Sequence, residues 1–198
     1  AYCRQRFIEL VPNQNSFGHL HRWLDLPRYR HLATCPDGFD GPGRQRCEFP
    51  FSLDPTNSQS IEFLDELYDE LLPHFTSRKF NVGCDETLDL GQGRSRSECD
   101  RKGKQRVYLE FLLKIHELVQ RHGRTMHFWS DGVGAHPDLL PDLPRDVVIL
   151  EWGYGVDHPY DKKCEMYTKA DRKFYVCPST STFCSIAGRH HRCLNSIR

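Results

Sequence analysis

No stretch of this chain approaches the roughly 18–20 consecutive apolar residues that a membrane-spanning helix requires, so no transmembrane segment is expected. Charge of one sign is also missing. The 27 Lys and Arg balance 27 Asp and Glu, which lacks the basic excess of a nucleic-acid binder. There is no Cys-x-x-Cys pair and no Cys/His set at zinc-ligand spacing. The opening Ala1-Tyr2-Cys3-Arg4-Gln5-Arg6 carries no apolar signal region, and no internal repeat or low-complexity tract appears. Cysteine, by contrast, is plentiful and odd in number, at nine. Cys84 and Cys177 fall in strand-like text, where a small buried apolar residue fits. The expectation is free thiols in a reducing, cytoplasmic compartment rather than a disulfide framework. Most of the eleven histidines sit in Arg-rich loop text such as Arg189-His190-His191-Arg192 and read as solvated.

At 198 residues the chain is long enough for one domain, residues 1–198, with a real core. Residues 7–12 read as a buried strand, and 13–57 as a long Pro-, Gly- and Arg-rich excursion of the kind that is usually functional. Ile61, Leu64, Leu67, Tyr68, Leu71 and Leu72 recur at helical spacing after a capping Asn57 or Ser58. Val107, Phe111, Leu112, Ile115, Leu118 and Val119 mark a second amphipathic helix, and a short one is expected near 161–171. Further strands are expected at 79–86, 125–130, 147–152 and 174–177. Strand–helix alternation of this kind implies parallel pairing with right-handed crossovers.

The segment Phe80-Asn81-Val82-Gly83-Cys84-Asp85-Glu86-Thr87 stands out. Alternation puts Phe80, Val82 and Cys84 on one face and the small or polar Asn81, Gly83 and Asp85 on the other. The second set suits the inside of a parallel barrel. For Asp85 and Glu86 to serve one site, the chain must turn Glu86 back over the strand end, where catalytic groups of (β/α) barrels sit. Two acids opening a solvated loop is the ordinary alternative. Trp129 and Trp152 both follow apolar strands and precede turn residues, Ser130-Asp131-Gly132 and Gly153-Tyr154-Gly155. That places them at strand ends, although a lone Trp more often packs in a core.

Asn81-Val82-Gly83-Cys84-Asp85-Glu86-Thr87 resembles the signature of family 20 glycoside hydrolases, and three other segments resemble the same family in order. They are Phe7-Ile8-Glu9-Leu10-Val11-Pro12 with Phe17-Gly18-His19, then His127-Phe128-Trp129-Ser130-Asp131, then Val148-Ile149-Leu150-Glu151-Trp152. Leu90-Gly91-Gln92-Gly93-Arg94 adds a likeness to the β-N-acetylhexosaminidase branch. The resemblance implies an α/β fold, a (β/α)8 TIM barrel, incomplete here. Its five expected strands would correspond to strands three to seven. A sheet left open at its edges would be prone to self-association.

Adjacent carboxylates flanked by tryptophans suit a sugar. The ordinary two-carboxylate mechanism needs its groups about 5 Å or more apart across the scissile bond, and substrate-assisted hydrolysis accounts better for adjacent ones. By resemblance, Asp85 orients the sugar's attacking 2-acetamido group and steadies the oxazolinium ion, while Glu86 protonates the leaving oxygen. Glu86 then acts as base on the incoming water. His19 is implied as an outer partner of the acid. Trp129 and Trp152 are implied as walls of the acetamide pocket, with a hydroxyl from Tyr154, or less well Tyr175, on the acetamide carbonyl. Asp131 is a candidate for sugar hydroxyls, and a solvated turn acid is the alternative. No cofactor and no metal is expected, and the substrate implied is an N-acetylhexosamine-terminated glycoside. Gly91–Arg94 lacks the spacing of a phosphate loop and reads as a flexible border of the cleft. Where the family has Gly-Thr-Ser-x-Trp-Asn, this chain has Ser179-Thr180-Ser181-Thr182-Phe183-Cys184. Two rivals remain. One is a sugar-binding barrel without turnover; the other is a metal-dependent enzyme using Asp85, Glu86 and His19.

Overall fold

The computed structural model describes residues 2–155 and 157–179. The elements run α1 (His21–Leu24), the hairpin strands β1 (Phe39–Asp40) and β2 (Arg46–Cys47), α2 (Gln59–Leu71), β3 (Lys79–Asn81), α3 (Arg96–Lys102) and α4 (Lys104–Arg121). They continue with β4 (Thr125–Trp129), α5 (Asp131–Gly134), β5 (Val148–Gly153), α6 (Tyr160–Lys169) and β6 (Lys173–Pro178). Strands β3, β4, β5 and β6 lie side by side in chain order, and every pair is parallel. That is the strand–helix–strand succession of an incomplete α/β barrel.

Alternation on the strands sets the two faces. Phe80, Val82, Met126, Phe128 and Ile149 are all buried, in one core with Leu64, Tyr68, Phe111, Leu112 and Ile115 of α2 and α4. The opposite face carries Asn81, His127, Tyr175 and the strand-end tryptophans, and His127 packs edge-on to Tyr175 with ring centroids 5.5 Å apart. The α2 start is held by Asn57, whose Oδ1 accepts the Gln59 N–H at 3.0 Å, rather than by Ser58.

Residues 7–12 do not form the buried strand that their apolar text predicts. Phe7 is fully exposed, and Ile8 and Leu10 are more than half exposed. Among the described residues no layer covers this segment, so its apolar side chains have nothing to pack against. The neighbour of β3 on that side is the segment just after it. Asn13 bridges Asn81 in parallel, Asn81 N–H donates to Pro12 O at 3.0 Å, and Ser16 N–H donates to Val82 O at 2.9 Å. The strand expected at 79–86 is also shorter as a regular ladder, because positive-φ residues begin at Gly83. The altered Ser179–Cys184 text lies outside the described residues beyond Ser179.

Candidate active site

Two loops meet at the carboxyl end of β3, next to the ends of β4 and β5. The first is the acid turn after β3, where Gly83, Cys84 and Glu86 adopt left-handed backbone conformations at φ 68°, 65° and 46°. The second is the Gly18-His19 loop, in which His19 has φ 58°. For a non-glycine residue such a conformation costs on the order of 1–3 kcal/mol, and it persists where surrounding structure over-determines it. Here the supports are identifiable. The buried Tyr108 of α4 donates its hydroxyl to Cys84 O at 2.9 Å, and Trp129 N–H donates to Gly83 O at 2.9 Å. Leu88 N–H closes on Glu86 O at 2.7 Å. A Cβ on Gly18 would lie 2.5 Å from Asp85 O, so only glycine lets the histidine loop cross the acid turn this closely.

The kinks turn both carboxylates to one side. His19 Nε2 lies 3.3 Å from Asp85 Oδ2 and 3.2 Å from Glu86 Oε2. One ligand-capable atom from each of the three residues lies within 4.8 Å of the others. The adjacent Asp85 carboxylate, and the charges of Glu86 and Asp131, hold the His19 imidazole above its usual range against the opposing effect of burial. Phe51 packs edge-on to the His19 ring at 4.9 Å. Asp85 is the better shielded acid, with 22% of its side chain exposed against 45% for Glu86. Glu86, the proton donor by resemblance, is thus the more open of the two acids among the described residues.

Six of the seven side chains read from the sequence border one cleft of about 620 Å³: His19, Asp85, Glu86, Trp129, Trp152 and Tyr154. That size holds a small ligand. Trp152 and Tyr154 meet edge to face at 5.1 Å. Tyr175 is not among the cleft's lining residues. Neither is Asp131, whose Oδ2 accepts the Trp152 indole N–H at 2.7 Å. Asp131 reaches the cleft through the ring it holds.

The Asp131 carboxyl is pushed up to about 6 by burial, and further by the charges of Asp85 and Glu86, against the Trp152 hydrogen bond that lowers it. A carboxyl raised from its ordinary 3.8 binds protons more tightly in the folded chain than in the unfolded one. Its contribution to stability is therefore fully present at low pH and is lost as pH rises from about 4 through 6. Asp131→Asn is expected to melt closer to wild type, or above it, at pH 7 than at pH 5. Melting curves at the two values test this; an offset independent of pH would place Asp131 at its ordinary value.

Two contributors escaped the sequence reading. Tyr108 looked like one more residue of an amphipathic helix, and nothing local announced its hydroxyl's role. Cys177, expected as a small buried strand residue, is half-buried and lines the cleft with Pro178 and Ser179. The pleat could have shown it, because Cys177 pairs with Trp152 and faces the same side. The Gly91–Arg94 segment is not among the residues lining this cleft. Arg94 donates to His31 O at 2.8 Å and Ala33 O at 2.7 Å, and a Cβ on Gly93 would meet Thr34 O at 2.3 Å. It is a clamp on the 31–34 backbone rather than a flexible border.

Parallel strands in barrel order, helices packed on one face and an acid pair at the carboxyl end of β3 are features of an incomplete (β/α) barrel. The family model for glycosyl hydrolase family 20, catalytic domain, matches residues 1–191, and this chain belongs to that family. A lacto-N-biosidase from Bifidobacterium bifidum is 28% identical over 164 residues, covering 75% of this chain and 13% of that protein. Human hexosaminidase D is 27% identical over 168 residues, covering 76% of this chain and 30% of that protein. The β-N-acetylhexosaminidase of Bacteroides fragilis superposes with a TM-score of 0.65 at 21% identity, over 87% of this chain and 33% of that one. The exo-β-N-acetylglucosaminidase of Vibrio harveyi gives 0.67 at 16% identity, over 91% and 27%. These structures share the fold. The chain spans 13% to 43% of the length of the first curated relatives it matches.

Proposed function

We propose that this chain carries the catalytic site of a β-N-acetylhexosaminidase, which removes terminal non-reducing N-acetylglucosamine or N-acetylgalactosamine by substrate-assisted, retaining catalysis. The observation that carries the reading is the acid pair. An oxygen of Asp85 and one of Glu86 lie within 4.8 Å of each other, under one imidazole and beside Trp129 and Trp152. Carboxylates so close do not flank a scissile bond, and a substrate acetamide supplies the nucleophile they would otherwise lack. In this reading Asp85 orients the acetamide, Glu86 is acid and then base, and His19 steers both. Trp129 and Trp152 wall the acetamide, Tyr154 offers it a hydroxyl, and Asp131 acts through Trp152. The relatives' names, lacto-N-biosidase and hexosaminidase D, support an N-acetylhexosamine-terminated glycoside as substrate. No helix among the described residues is long and apolar enough to cross a membrane. Free thiols at Cys84 and Cys177, beside the acids, suit a reducing, cytoplasmic setting.

A second reading has its own observation. His19, Asp85 and Glu86 each offer a ligand atom in a cluster compact enough for a divalent ion. One experiment separates the readings. An aryl N-acetyl-β-glucosaminide should be hydrolysed equally well with and without EDTA. Loss of activity on chelation, restored by a divalent ion, would establish the metal reading. A thiazoline analogue that binds without any turnover would leave a sugar-binding barrel.

A further inference from the structure

Glu151 immediately precedes Trp152 on β5, so the pleat points the two side chains to opposite faces. Trp152 looks into the cleft, and Glu151 looks into the layer between the sheet and α6. Only 2% of Glu151 is exposed, at a position where Ile149, two residues earlier, is simply apolar. Burying a carboxylate there costs several kcal/mol unless donors meet it, and an aliphatic residue of similar volume would often serve stability as well or better. Both its oxygens are met. Tyr167 of α6, itself fully buried, donates its hydroxyl to Oε2 at 2.5 Å, and His158 Nε2 lies 2.8 Å from Oε1.

His158 belongs to the connection between β5 and α6, the segment that carries Tyr154. Its ring folds back onto the strand end, where a Cβ on Gly153 would lie 2.5 Å from His158 Cγ. Tyr160 packs on that ring at 4.3 Å and donates its hydroxyl to Gly153 O at 3.2 Å. The carboxylate therefore ties down both ends of the stretch that bears Trp152 and Tyr154. Adjoining this wall is a second, open pocket of about 380 Å³, bordered by Trp152, Tyr154, Glu151, His158 and Asp131 but by neither Asp85 nor Glu86. The wall has room to retreat into.

We propose that Glu151, through His158, is a positioning residue that holds the Trp152–Tyr154 wall forward and so sets the length of N-acyl chain the site accepts. This rests on the acetamide-pocket reading of the cleft. With the latch intact the pocket fits acetyl and rejects longer acyl groups. With it released the wall moves into the adjoining pocket, and a propanoyl or butanoyl chain enters.

The test is a series of aryl β-glucosaminides bearing N-acetyl, N-propanoyl and N-butanoyl groups, run on wild type, Glu151→Gln, His158→Ala and Tyr167→Phe. One methylene in a fitted pocket discriminates by roughly 10–200-fold in kcat/KM, and wild type should show that drop. Glu151→Gln and His158→Ala should flatten it to a few-fold, mainly through KM, while Tyr167→Phe, which leaves His158 in place, should retain most of it. Lower melting temperatures with an unchanged acyl series would mean that the network is only structural, and would overturn the proposal. A readout independent of turnover keeps the two readings apart. With 5-fluorotryptophan incorporated, Glu151→Gln should shift the Trp152 resonance, assigned with Trp152→Phe, and leave that of Trp23 in place. If wild type hydrolyses none of the series, the acetamide reading has failed. The latch then stands or falls on whether the Trp152 resonance moves.

Discussion

Glu86→Gln is expected to lower turnover of glycosides with unactivated sugar leaving groups by about 10²–10⁴-fold, the usual contribution of a positioned general acid. Aryl glycosides with good leaving groups should lose far less, because their departing oxygen needs no proton. The geometry makes the substitution clean. Glutamine has the size of glutamate, and the left-handed backbone at Glu86 (φ 46°) is secured by the Leu88 hydrogen bond to its carbonyl. The side chain should stay where it is, beside His19, with no proton to give. Steady-state kinetics on a disaccharide and on a nitrophenyl glycoside would measure the contrast. Equal losses on both would remove Glu86 from the acid's role and leave it a binding residue.

Much of this was legible from residue order because strand ends advertise themselves. An apolar run that stops at a turn residue puts its last side chain at the rim, which located Trp129, Trp152 and Asp85 without coordinates. The turning-back of Glu86 was also a requirement the sequence could state, and the left-handed residues at Gly83, Cys84 and Glu86 are how the chain meets it. Contacts between distant segments were not legible. Tyr108 reaches Cys84 from α4, Asp131 turns to the Trp152 indole instead of the cleft, and Glu151 meets hydrogen-bonding partners 7 and 16 positions later. None of these follows from local periodicity, because each depends on how far one element leans across another. The error at residues 7–12 is of a different kind. An apolar pattern says that a segment would be buried if a partner layer were there, and among the described residues that layer is missing.

Asp85→Asn should separate substrate assistance from every rival at once. If the sugar's acetamide attacks the anomeric carbon, a positive oxazolinium develops beside Asp85, and a neutral amide there cannot match its charge. A thiazoline analogue of N-acetylglucosamine should bind wild type far more tightly than N-acetylglucosamine itself and lose that advantage in the variant. The expected loss in kcat is about 10²–10³-fold, the scale of removing one preorganised electrostatic partner. His19 sharpens the expectation. Its imidazole is held up chiefly by the Asp85 carboxylate beside it, so Asp85→Asn should also lower the histidine's titration midpoint, which NMR can follow. The same chemistry predicts that β-glucosides lacking the acetamido group are poor substrates, since they lack the nucleophile that substrate assistance draws on. Comparable turnover of glucosides and N-acetylglucosaminides would sink substrate assistance, because the enzyme would then have to supply its own nucleophile or activated water. The proximity of Asp85 and Glu86, which now argues for the substrate's participation, would then need another explanation.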